Sequence, residues 1–201
     1  MAKNVAKALS YVFHPLLIPS LGFLLLMNSG FYFTLISFEA KKYIMLIVVL
    51  STLVLPLISL SLMMITTRFR LNLDKTSDRI IPLLNTAIFY YLGFYFLGKL
   101  PVYPVYKLML ISSVLTIVIL LFITIRWKIS AHMTAIGGLT GIFLALSLRL
   151  NVNGSLLLCG LLLVAGMVGT SRILLGKHNP IQVYAGFLVG LVVNFLIIQF
   201  I

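Results

Sequence analysis

Residues 105–125 read VYKLMLISSVLTIVILLFITI, a run whose only charge is Lys107, near its start. The run is longer than a strand needs and shows no alternation of apolar and polar positions, so it is a helix. At about 1.5 Å per residue it is also long enough to cross the roughly 30 Å hydrocarbon core of a bilayer. The same signature recurs on both sides. Further crossings are expected near 14–36, 43–65, 81–98, 131–148, 154–171 and 180–200. Pro101 and Pro104 turn the chain before the quoted run, and Asn151-Val152-Asn153-Gly154 turns it later. His14-Pro15 and Pro19 interrupt the first crossing, so the expected count is six or seven.

Composition agrees. The 201 residues are 62% hydrophobic and 9% charged, whereas soluble domains carry about 25% charged residues. The expected fold class is all-α, an integral membrane helical bundle of six to seven transmembrane helices. It forms a single domain over 1–201, with a core from about 66 to 201 and N-terminal helices over 1–65. Lys3 and Lys7 precede an apolar run as in a signal peptide. That run outlasts an h-region and no cleavage site follows, so it reads as a retained helix. The net charge of +12 is scattered over segment ends and not along one helical face. That pattern excludes a nucleic-acid footprint and favours lipid headgroups or an anionic substrate. Cys159, the single cysteine, rules out an intrachain disulfide and reads as a small packing residue. Gly137 with Gly141, and Gly186 with Gly190, read as places where helices approach closely. The aromatic run from Phe89 to Phe96 reads as lipid-facing and packing surface.

Three polar islands border the apolar runs. They are Asp74-Lys75-Thr76-Ser77-Asp78-Arg79, Lys128-Ile129-Ser130-Ala131-His132, and Ser171-Arg172 followed by His178 and Gln182. Polar side chains beside hydrocarbon are costly, so such clusters point to function. Two crossings separate each island from the next, so all three emerge on one side of the membrane and can share a site. Ser130 suits the N-cap of the following helix, with His132 in its first turn, where free N–H groups make a phosphate seat. The alternative there is a plain cap with an interfacial histidine. Pro180 suits a first helical position, which makes Asn179 the N-cap and places His178 at a second helix start. Arg172 offers a planar fork for two phosphate oxygens, and Lys75 and Arg79 add two cations. Gln182 reads both as a partner of His178 and as the far end of a capping box with Asn179. No set of residues has metal-ligand spacing. His14 reads as an interfacial residue.

These residues resemble the motifs of the phosphatidic-acid-phosphatase type 2 (PAP2) superfamily, which groups lipid phosphatases with vanadium haloperoxidases. Its motifs run K-x6-R-P, P-S-G-H and S-R-x5-H-x3-D. Ser171, Arg172 and His178 match the third at the correct spacing, and Ser130 and His132 match the second. Ile129 and Ala131 stand where the second motif has proline and glycine. In the first, Arg79 is followed by Ile-Ile-Pro, Asn72 stands at the lysine position, and Lys75 is the natural substitute. Gln182 occupies the aspartate position of the third motif. The resemblance covers about residues 70–190.

By this resemblance His178 is the nucleophile that becomes phosphohistidine, oriented by Gln182, and His132 is the acid that protonates the leaving oxygen. Lys75, Arg79, Ser130, Ala131, Ser171 and Arg172 hold the phosphate oxygens. The implied activity is hydrolysis of a lipid phosphate or polyprenyl pyrophosphate without metal or other cofactor. The implied partners are the phosphorylated lipid and membrane lipids, and the implied place is a bacterial inner membrane. The alternatives are an impaired relative that binds or transports a phosphorylated lipid, and a lipid phosphotransferase.

Overall fold

The computed structural model describes residues 2–31, 35–66 and 77–201. These are helical almost throughout. In chain order they form α1 (Ala2–Val12), α2 (Ile18–Met27), α3 (Phe38–Val49), α4 (Leu55–Thr66), α5 (Ile80–Gly98), α6 (Pro104–Arg126), α7 (Ala131–Arg149), α8 (Ser155–Leu174) and α9 (Pro180–Phe200). A π turn, Leu50–Val54, joins α3 to α4. Among the described residues, six helices are long and apolar enough to cross a membrane: Phe38–Ile65, α5, α6, α7, α8 and α9. The protein is an all-α integral membrane protein.

The expected crossing at 14–36 is corrected. Two short helices, α1 and α2, stand at this end of the chain, and α1 lies ahead of that segment. Pro15 disfavours helical geometry at His14 and has no N–H to continue the ladder. The chain tightens instead, with the Phe13 N–H on the Leu9 carbonyl and the His14 N–H on that of Tyr11. Cys159 is also corrected: it is exposed on α8, not packed in a core.

The chain divides into two compact units, residues 19–126 and residues 1–18 with 127–201. In the first, α5 packs along α6 and against the α3–α4 rod. The π turn falls where Pro56 removes the N–H that would have bonded Thr52. The Leu55 N–H reaches back to the Leu50 carbonyl, and the Ser51 hydroxyl donates to those of Ile47 and Val48. Gly93 of α5 leaves room for the Ser51 side chain.

The second unit consists of α1, α7, α8 and α9. Its most intimate contact is between α7 and α9, which run parallel. Gly186 faces the Ser130 carbonyl, Gly190 that of Thr134, Gly137 the backbone of Phe187, and Gly141 that of Leu191. At the far end Arg149 donates to the Ile198 carbonyl at 2.7 Å. The two G-x-x-x-G pairs therefore seat backbone against backbone, as small residues do between membrane helices. Parallel packing brings the starts of α7 and α9 to the same end, where the Ser130 N–H donates to the Gln182 carbonyl at 3.3 Å.

This contact yields a stability prediction. In Gly190→Ala the new methyl meets the Thr134 carbonyl and the Gly138 amide, neither of which has a flexible end to yield. Overpacking of about 1–3 kcal/mol outweighs the roughly 1 kcal/mol of helix propensity that alanine gains over glycine. The melting temperature in detergent is expected to fall. Gly160→Ala, where a methyl meets nothing within 4 Å, is expected to leave it level or raise it. An unchanged melting temperature for Gly190→Ala would contradict the packing.

Candidate active site

The Arg172-to-His178 spacing is the geometry of a helix end. Gly176 takes a φ of +64°, a left-handed conformation that suits glycine. The Lys177 N–H then returns to the Arg172 carbonyl and the Gly176 N–H to that of Ile173, a Schellman closure of α8. His178 follows this closure and immediately precedes the start of α9. There Asn179 is the N-cap and Pro180 opens the helix. A complete capping box is present, with the Gln182 N–H on Asn179 Oδ1 at 2.9 Å and the Asn179 N–H on Gln182 Oε1 at 3.3 Å.

Gln182 serves both roles that its position suggests. Its Oε1 also lies 3.0 Å from Nδ1 of His178, which is buried. The Asn179 backbone N–H points at the same atom, which identifies it as the amide oxygen and not the nitrogen. An amide oxygen only accepts, so His178 carries a proton on Nδ1.

The start of α7 is formed by Ser130 in extended geometry, followed by Ala131 and His132. Here one expectation is corrected. Ser130 occupies the N-cap position, but its side chain makes no capping bond. Its backbone is committed elsewhere, with the N–H on Gln182 and the carbonyl accepting from the Thr134 N–H and hydroxyl. The Ser130 Oγ is fully buried and has no hydrogen-bond partner among the described residues.

The end of α1 brings two residues that the sequence did not assign to the site. The Ser10 carbonyl lies 3.1 Å from His132 Nε2, and Arg172 donates to the Ser10 hydroxyl at 3.3 Å. His14, expected at the interface, instead sets its ring against that of His132, edge to face, with centroids 5.6 Å apart. The cause is the chain turn at Pro15, where the Leu17 N–H bonds the His14 carbonyl. Burial, reinforced by the nearby Arg172 guanidinium, holds His14 below the usual histidine range. The signal for both residues was His14-Pro15 as a helix end, with Ser10 one turn before it.

Ser171 turns its hydroxyl back onto the Met167 carbonyl at 2.7 Å, so it supports α8. Lys75 lies outside the described residues. Arg79 ends a short 3-10 turn, Ser77–Arg79, in the unit of residues 19–126. Among the described residues no three His, Cys, Asp or Glu side chains gather as a metal site requires.

A chain of contacts thus links His178, Gln182 and Ser130 on one side, and His132, Ser10 and Arg172 on the other, at two adjacent helix starts. The class so defined is a helical membrane protein with a histidine-and-arginine site suited to an oxyanion. Residues 109–201 match the sequence model of the PAP2 superfamily, so this stretch of the chain is similar to that superfamily. The match includes Ser130, His132, Ser171, Arg172, His178 and Gln182, and leaves out Lys75 and Arg79. The chain matches no curated protein and no solved structure.

Proposed function

We propose that the chain is a metal-independent phosphatase acting on a lipid phosphate or polyprenyl pyrophosphate at the surface of a bacterial inner membrane. The observation that carries this reading is the His178–Gln182 contact at 3.0 Å, which orients the imidazole of a buried histidine through Nδ1 and assigns the nucleophilic role to Nε2. In the first step Nε2 bonds to phosphorus as the bond to the leaving oxygen breaks, and His132 supplies the proton that oxygen takes. In the second, His132 accepts a proton from water, the water oxygen bonds to phosphorus, and the P–N bond breaks to release phosphate and free His178. Arg172, the Ser130 hydroxyl and the N–H groups opening α7 hold the oxygens as charge develops. Lys75 and Arg79 are the first-motif cations that the family resemblance implies.

A lipid is favoured over a soluble phosphate by an apolar groove of about 630 Å³ between α1 and α8. Val5, Leu9, Leu162, Gly166 and Met167 line it, and it reaches Ser171, the neighbour of Arg172. An amphiphile whose chain lies there has its head beside the arginine.

The test is phosphate release by purified protein in EDTA, from long-chain and short-chain lipid phosphates and a polyprenyl pyrophosphate. Release from at least one long-chain substrate is expected. Gly166→Leu is expected to lower kcat/KM for the long-chain substrate about ten-fold and to leave the short-chain value within two-fold. A methyl at Gly166 meets nothing within 4 Å, so the change fills the groove without disturbing the helix. Equal effects on both substrates would sink the groove assignment. The neutral partner of His178 also favours a second reading, a protein that binds a phosphorylated lipid without turnover. Tight lipid binding with no phosphate released across the panel would support that one.

A further inference from the structure

We propose that Ser10, near the end of α1, is a positioning residue of the phosphate site. It fixes which nitrogen of His132 exchanges protons, and it aligns the Arg172 fork.

The last carbonyls of a helix have no partner within it. In α1 the N–H of His14 goes to Tyr11 and that of Phe13 to Leu9, which leaves the Ser10 carbonyl outside the helical ladder. His132 Nε2 meets it at 3.1 Å. A carbonyl oxygen only accepts, so Nε2 must carry a proton. The atom left to gain and lose one is therefore Nδ1. The Nε2–H bond to Ser10 is compatible with both the neutral and the charged ring, so proton exchange at Nδ1 never has to break it. The His14 ring, set edge to face with its centroid 5.6 Å from that of His132, restricts rotation of the imidazole out of this alignment. The hydroxyl of the same residue accepts from Arg172 at 3.3 Å, so one turn of α1 orients both groups.

The two histidines are thus anchored by opposite nitrogens. His178 is held through Nδ1 by Gln182, while His132 is held through Nε2 by Ser10. Neither partner is a carboxylate. The roles of acid and nucleophile rest on the phosphatase reading above, but the tautomers do not.

Nitrogen NMR of the full chain in micelles, with ¹⁵N-labelled histidine and assignment by His14→Gln, His132→Gln and His178→Gln, reads the tautomers directly. His132 is expected as the Nε2–H form and His178 as the Nδ1–H form. An Nδ1–H form at His132 overturns the proposal. In turnover, Ser10→Ala is expected to raise KM about ten-fold with kcat within two-fold. That is the signature of lost binding by a pre-aligned cation, and Ser10→Thr is expected to restore the wild-type value. If the chain proves inert on every lipid, the phosphatase reading fails alone, and the same ten-fold weakening is read from inorganic phosphate binding. Unchanged or tighter binding in Ser10→Ala would overturn the proposal, because Ser10 would then be irrelevant to the site or an occupant competing for it.

Discussion

Replacing His178 by alanine is expected to leave the protein folded and to cut phosphate release by about 10³–10⁶-fold, the range seen when a catalytic nucleophile is deleted. The fold is expected to survive because the capping box of α9 uses Asn179 and Gln182 without the imidazole, and the Schellman closure uses only backbone. Labelled phosphate trapped on the wild-type protein should be stable to base and labile to acid, as a phosphoramidate is, and absent from His178→Ala. The loss is expected in kcat more than in KM, because Arg172 and the start of α7 still bind the phosphate. Turnover that persists with label on another residue would move the nucleophile away from His178.

Gln182→Glu is expected to raise kcat. The neutral amide now orients the Nδ1–H of His178 but does nothing for the charge that ring acquires when it bonds to phosphorus. In the serine-protease triad, exchanging the orienting carboxylate for an amide costs about 10⁴ in rate, which sets the ceiling for the reverse change. A gain of 10–10³-fold is expected here. Glutamate preserves the length that Gln182 uses to reach both His178 and the Asn179 N–H. At this position a carboxylate is also favoured by the helix start, by about 0.3–1 kcal/mol. Aspartate is shorter by one methylene and surrenders the second of these contacts. Single-turnover kinetics check the expectation, and a kcat at or below wild type for Gln182→Glu would mean that charge at this position is not what limits the reaction.

Much of this site could be read from the chain. Pro180 after Asn179 marked a helix start because proline tolerates only that position in a helix, and the box with Gln182 followed from spacing alone. Ser171, Arg172 and His178 stood out because polar side chains are scarce among apolar runs. The glycine pairs marked helix contacts correctly, and the alternation of crossings made their two helices parallel, but hydropathy could not say that these two pack against each other. Ser10 and His14 escaped because their role depends on where α1 lies, and nothing local to residues 2–14 encodes its neighbours. The crossing at 14–36 failed for a related reason. Hydropathy averages over a window, whereas one proline at position 15 suffices to end a helix. The first-motif cations were the hardest to place from sequence, since Arg79 is two residues further from its proline than the superfamily pattern requires.

Running two helices in the same direction, glycine against glycine, carries an electrostatic cost that antiparallel neighbours avoid. The positive poles of α7 and α9 lie side by side, with the Arg172 guanidinium close by, and like poles repel. Packing along the glycine seam keeps them together. An anion between them would convert this mutual repulsion into shared attraction. On the phosphatase reading, phosphate is therefore expected to tighten the α7–α9 pair at the end opposite Arg149.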